Sequence, residues 1–145
     1  MIGIEPIHVY NPDGTDVKDG LTMDPSFKDM DRVFKAIDEQ YHMKAIGRTV
    51  RYVHSGSNNS LKAFFYTNGE TYESKTINFE IVDRVGGGDA FSSGLIYALM
   101  QNDMTPQETV DFAVASSVMK HAIRGDTNIT SVDQIMNNAS FDVQR

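Results

Sequence analysis

The chain has 145 residues, no cysteine, and 13 Lys and Arg against 20 Asp and Glu, a net charge of −7. That length suits one domain with a core of its own, and the acidity disfavours nucleic acid or an anionic membrane as a partner. The missing cysteines exclude disulfides and thiolate metal sites; with no span-length apolar run and no signal-like start, a cytoplasmic chain is the expectation.

In chain order, Ile2 to Ile7 reads as a buried strand that stops near the turn cluster Pro12-Asp13-Gly14. Asp13 to Asp24 is polar and reads as loop. Ser26 can cap a helix whose apolar positions Met30, Val33, Phe34, Ile37 and Tyr41 share one face. Lys44-Ala45-Ile46 is a short strand candidate, followed by a polar loop with Arg48 and Arg51. Leu61 to Tyr66 is a stronger strand. Asn68-Gly69 follows it as a type I′ hairpin signal, with Glu70 to Ser74 returning. Phe79 to Val82 forms the next strand, and Asp89 to Met100 a helix with Phe91, Leu95 and Leu99 inward. Thr105-Pro106-Gln107-Glu108 is a capping box with proline at the first helical position. It opens a helix carrying Val110, Ala113, Val114, Ser117 and Val118, and Ser131 opens a short last one. Strands, a hairpin and long helices predict an α/β fold in three layers.

The stretch Asp83-Arg84-Val85-Gly86-Gly87-Gly88-Asp89-Ala90-Phe91 carries the chemistry. A strand runs into three glycines, then an Asp, then a helix. Glycines let successive N–H groups point into one concavity, and the helix N-terminus favours an anion there. The Asp at its edge can accept a proton. Together these read as a phosphoryl-transfer site. The plainer reading is a tight turn with an Asp favoured by the helix N-terminus. The four histidines, His8, His42, His54 and His121, show no metal-ligand spacing and read as structural or surface residues. No Gly-x-x-x-x-Gly-Lys-[Ser/Thr] loop is present, which argues against a P-loop NTPase.

Asp83 to Leu95 resembles the C-terminal motif of the ribokinase-like (PfkB) carbohydrate kinases. The downstream runs Phe112 to His121 and Gly125 to Asn128 resemble the 2-keto-3-deoxygluconate kinase branch, as does Val143-Gln144-Arg145. The resemblance implies that Gly86, Gly87 and Gly88 form an anion hole that also binds the cofactor, and that Asp89 is the catalytic base on the substrate hydroxyl. It implies ATP and Mg²⁺, with a monovalent cation in some relatives. Asp83 is then a cation ligand or, equally, a turn-capping Asp. Thr49 falls where relatives cover the nucleotide, and Ala113 or Val114 where ribokinases offer an Asn to adenine. Asp126 matches a sugar contact, or else an Asx turn ending a helix.

The resemblance covers the C-terminal half of a family member, the second half of a three-layer α/β/α sandwich. Residues 1–145 then form a single domain, the nucleotide-binding and catalytic portion, with the N-terminal sugar-binding half and lid absent. The Asp-x-Asn-x-Arg strand of the family has no match. Ile4 and Ile7 stand where the family's metal-organising Asn and Glu would be, leaving Glu5 as the nearby carboxylate. The implied reaction is ATP-dependent phosphorylation of a sugar or sugar acid, 2-keto-3-deoxygluconate at O6. The alternatives are a nucleotide- or anion-binding module, or an interaction fragment, without turnover. A sheet interrupted near Ile2 to Ile7 would expose a strand edge and self-associate.

Overall fold

A computed structural model describes residues 3–140, with Ser140 described in its backbone only. Four helices and four strands follow in the order α1 (Phe27–Tyr41), β1 (Ala45–Val53), β2 (Asn58–Thr67), β3 (Glu70–Glu73), β4 (Ile77–Glu80), α2 (Gly87–Met100), α3 (Pro106–His121) and α4 (Val132–Ser140). The strands form one antiparallel sheet. β1 runs along one side of β2, from Ala45 opposite Thr67 to Val53 opposite Asn59. β3 and β4 share the other side, pairing with the two halves of β2. The β2–β3 hairpin turns on Asn68 (φ 51°) and Gly69 (φ 82°), the two positive values that a type I′ turn needs.

Two apolar clusters sandwich the sheet. On one face Ile46, Val50, Phe64 and Tyr66 meet Met30, Val33, Phe34 and Ile37 of α1, joined by Ile4, Val9 and Val17. On the other, Leu61, Ala63 and Phe65 meet Phe91 and Leu95 of α2 and Val110, Ala113, Val114 and Val118 of α3. α4 closes the outside of α3 through Ile135 and Phe112. This is the expected three-layer arrangement, and strand alternation explains it: odd and even positions of β1 serve opposite clusters.

Helix starts follow their sequence signals. Ser26 caps α1 by accepting from the Asp29 N–H at 3.1 Å. Thr105 and Glu108 form the reciprocal capping box of α3. Ser131 and Gln134 exchange the same pair of bonds ahead of α4.

Four expectations need correction: Leu99 of α2 is 46% exposed rather than inward, and three segments differ. Residues 3–7 form turns rather than a strand. Gly3 has φ 79°, Pro6 withholds a donor, and the Ile7 N–H returns to the Ile4 carbonyl at 3.1 Å, so the apolar run folds inward locally. Ile2 lies outside the described residues, as does Val143-Gln144-Arg145. The polar stretch after Ile46 is not a loop: β1 continues to Val53 because β2 offers ten residues of pairing. The strand before the glycines is displaced to Ile77–Glu80, where it can pair with the start of β2.

Candidate functional site

The N-terminus of α2 differs from the others. Its N-cap is Gly86, in the left-handed region at φ 79°, and no side chain caps it. The first intrahelical bond is Ala90 N–H to the Gly86 carbonyl at 2.8 Å. The N–H groups of Gly86, Gly87, Gly88 and Asp89 therefore meet no acceptor among the described residues. Such orphan donors at the positive end of a helix dipole attract an anion. Asp89 stands exposed in the same first turn.

Each glycine does a different thing. A Cβ on Gly86 would overlap the Asp126 carbonyl oxygen and come 3.2 Å from Lys120 Cε. A Cβ on Gly87 would overlap the His121 ring. A Cβ on Gly88 would meet nothing within 4 Å, so this residue faces open space. Gly86 and Gly87 are fixed by packing, and Gly88 leaves room for a ligand.

Around this turn the chain is stapled from behind. Asp83 Oδ1 accepts from the Val85 N–H at 3.0 Å, and Oδ2 from the Gly125 N–H at 2.8 Å. Those bonds, Val85 first and Gly125 second, hold the Asp83 carboxyl below its ordinary pKa. Both its oxygens thus serve as turn caps, joining the approach to the glycines to the loop that carries Asp126. The Asp126 backbone rests against Gly86, and its Oδ1 accepts from Thr127 Oγ1 at 3.2 Å.

His121 is the buried centre of this staple, a role that its sequence context does not announce. Its Nδ1 donates to the Ser117 carbonyl at 2.7 Å, the only assignment that leaves Nε2 free to accept from Arg51 at 3.0 Å. Its ring packs on Phe79 with centroids 4.8 Å apart, and its carbonyl accepts from the N–H groups of Val82 and Asp83. Burial pushes its pKa down. Beside it, Lys120 is fully buried and donates to the Ile123 carbonyl at 3.0 Å. Ser117 Oγ reaches the Gly87 carbonyl at 2.8 Å and Ser116 Oγ the Ala90 carbonyl at 3.0 Å, so α3 holds the first turn of α2 from below.

The other candidates are placed as follows. Thr49 lies in β1 on the sheet face shared with Gly47, which abuts Phe91 and Leu95, and Arg51, which reaches His121. Ala113 and Val114 are buried in the core, with the Ala113 backbone against Gly94. Glu5 caps the Ile4 N–H at 2.9 Å and lies 3.5 Å from Arg48 Nε. Ile4 is buried and Ile7 packs on the same cluster. His8, which sequence spacing leaves unpaired, bonds Asp16 at 2.8 Å. Among the described residues no three His, Asp or Glu side chains are grouped to hold a metal ion. The open turn fits a phosphate group, whereas the carboxylates here do not form a Mg²⁺ site of their own. No described helix is long and apolar enough to cross a membrane.

Sequence reading also missed a groove of about 590 Å³ between β4, the end of α3 and α4. Phe79, Val118, Met119 and Ile123 give it apolar walls, with Glu80 and Gln134 among its polar groups. The His121 ring packs against both its Phe79 wall and Gly87.

Comparison with known proteins agrees with this geometry. The model of the pfkB family carbohydrate kinases matches residues 30–132. The structure of 2-dehydro-3-deoxygluconokinase from Thermotoga maritima superposes with a TM-score of 0.75 at 34% identity, covering 79% of this chain and 35% of that one. A PfkB family carbohydrate kinase from Listeria grayi gives a TM-score of 0.70 at 34% identity, covering 79% and 36%. An Enterococcus faecalis structure, provisionally described as a 2-keto-3-deoxygluconate kinase, shares the fold at a TM-score of 0.75 and 24% identity, covering 97% and 40%. No curated protein matches the chain. The chain spans little more than a third of the length of the solved relatives that it resembles at 34% identity. With the family model matching most of its length and the glycine turn in place, the chain belongs to the pfkB family of carbohydrate kinases.

Proposed function

We infer that this chain supplies the phosphoryl-transfer end of an ATP-dependent sugar-acid kinase, acting on 2-keto-3-deoxygluconate at O6. The observation that carries this reading is the uncapped α2 N-terminus, with four unbonded N–H groups and Asp89 exposed beside them. The substrate class rests on the likeness to the gluconokinase of T. maritima.

Phosphoryl transfer asks the protein mainly for positioning and charge stabilisation. The N–H groups of Gly86 to Asp89 meet the charge on the equatorial oxygens of the γ-phosphoryl group. Asp89 orients the sugar-acid hydroxyl and takes its proton as the O–P bond forms. The bond from the γ-phosphorus to the bridging oxygen breaks, and ADP leaves with that oxygen. Gly88 gives the phosphoryl group its clearance. The groove beyond His121 offers the adenine apolar walls at Val118, Met119 and Ile123, a better place than buried Ala113. Thr49 lines the same sheet face. Asp126 reaches toward the sugar acid from the loop behind Gly86. Mg²⁺ bound to ATP would supply charge neutralisation, and Asp83, whose oxygens also cap Val85 and Gly125, is the carboxylate that the family likeness offers to a monovalent cation.

The test is ADP formation dependent on 2-keto-3-deoxygluconate, measured with this chain as part of the complete kinase. Turnover with the sugar acid, and much less with neutral hexoses, supports the reading. A second reading, nucleotide binding without turnover, is favoured by the absence of a grouped metal site among the described residues. ATP binding with no ADP formed under any sugar acid would select it.

A further inference from the structure

Among the described residues, Lys120 alone of the Lys, Arg, Asp and Glu residues is fully buried. A fold keeps such a charge inside only when it is matched. Its Nζ donates to the Ile123 carbonyl at 3.0 Å, just past the end of α3. Its stem passes behind the glycine turn. Cε lies 3.2 Å from the point where a Gly86 Cβ would stand, and the Asp126 carbonyl oxygen abuts the same point. Gly86 therefore lacks a side chain where the lysine runs. The charge also acts on Asp83, whose carboxyl is held below its ordinary pKa by the Val85 and Gly125 N–H groups first and by Lys120 after them.

Carboxylate and backbone carbonyl oxygens are the ligands that hard cations take. An ammonium is a compact point charge that binds the same oxygens through its three N–H groups. The family likeness offers Asp83 to a free monovalent cation, but the residues present do not fit one. Each Asp83 oxygen already accepts a backbone N–H, from Val85 and from Gly125. A second positive charge beside the buried ammonium would be repelled where solvent screens little.

We propose that the Lys120 ammonium takes the place of that cation: the chain carries its own monovalent charge behind Gly86, and its phosphate site needs no added potassium. This rests on the phosphoryl-site reading above. Lys120 is a positioning residue. It touches no reacting atom and acts through the backbone that it joins, the approach from Asp83 to Gly86 on one side and the loop from Ile123 to Asp126 on the other. Its charge adds to the positive end of the α2 dipole, which draws the phosphate. A lysine kept for packing alone could be exchanged for a neutral chain of the same shape. One that replaces an ion could not, and a free ion should make up for its loss.

The experiment measures the thermal midpoint and the ATP affinity of the 145-residue chain in potassium chloride and in choline chloride at equal ionic strength. The unaltered chain is expected to give the same values in both salts. Lys120→Ala opens the space and should lower the midpoint by about 5 °C or more in choline chloride, with much of the loss recovered in potassium chloride. Lys120→Met keeps the bulk of the stem without its charge. It should bind ATP about fivefold or more weakly, with no recovery in potassium chloride. A midpoint of the unaltered chain that potassium raises over choline would mean that a free ion holds the place, and would overturn the proposal. So would a Lys120→Ala midpoint equally low in both salts, or Lys120→Met with undiminished ATP affinity. ATP binding is read separately: if no form of the chain binds ATP, the phosphoryl-site reading fails, and the midpoints in the two salts still decide the role of Lys120.

Discussion

Two helices that lie side by side begin in opposite ways. At the start of α3, Thr105 and Glu108 satisfy each other's backbone donors, at 3.2 Å and 2.7 Å, and Pro106 removes another. At the start of α2 no described residue satisfies the donors, and three glycines stand where capping side chains would. A chain that caps α1, α3 and α4 with Ser or Thr uses capping freely where only stability is at stake. Leaving α2 with a glycine N-cap gives up roughly a few tenths of a kcal/mol of that kind. The loss is consistent with donors kept for a ligand, and the surrounding staple of Asp83, Lys120 and His121 holds them in place.

The comparison can be broken most forcefully at Asp89. In the complete kinase, Asp89→Asn should lower turnover by about two to four orders of magnitude, the range of a positioned acid–base group. Sugar-acid-dependent ADP release measures it, and near-normal turnover would leave α2 as an ordinary helix start.

Next in size is Gly87→Ala. The new methyl group overlaps the buried His121 ring, so something must shift, at a cost of about 1–3 kcal/mol. Gly88→Ala should behave oppositely. It adds a methyl group in open space at a helical position, stabilises by about 0.5–1 kcal/mol, and still weakens phosphate binding by filling the turn. Thermal midpoints of the two variants check the pair; equal losses would mean that the glycines serve packing alone.

Thr105→Ala should cost about 1 kcal/mol in stability with no change in nucleotide affinity, because that helix start has no ligand to serve. Chemical denaturation and calorimetry with ATP separate the two effects.

The smallest effect is on pH dependence. His121 has its pKa depressed by burial from an ordinary 6.5, so the unfolded chain binds the proton more readily. Its contribution to stability is fully present above pH 6.5 and is lost as pH falls through the lower folded value. Asp83 follows the same sign from an ordinary 3.8, with its contribution lost at lower pH still. Midpoints measured from pH 7.5 down to 5.5 should fall; a rise would mean that His121 is charged in the fold.

How much of this was legible in the sequence follows from how local each signal is. The glycine run, Asp89 and the helix after it sit within residues 86–100, and both their structure and their family likeness could be read directly. The capping boxes and the Asn68-Gly69 hairpin are equally local. By contrast, the bonds from Asp83 to Gly125 and from Arg51 to His121 join residues 42 and 70 positions apart. No composition or periodicity encodes them, so His121 read as one histidine among four. The strand over Ile2 to Ile7 failed for a related reason. Of its described apolar residues, Ile4 is buried and Ile7 half-buried, but in a turn packed on the α1 side, and burial alone does not choose between turn and strand. β1 was underestimated because Arg48 and Arg51 looked like loop residues until β2 supplied a full-length partner.

The most direct test of the central claim is a nuclear magnetic resonance titration of the chain with ATP, following backbone amides at both helix starts. The account predicts that Gly86, Gly87, Gly88 and Asp89 show the largest shifts, that Gln107 and Glu108 stay in place, and that Gly88→Ala suppresses the response. Unmoved glycine amides, or equal shifts at α2 and α3, would contradict it.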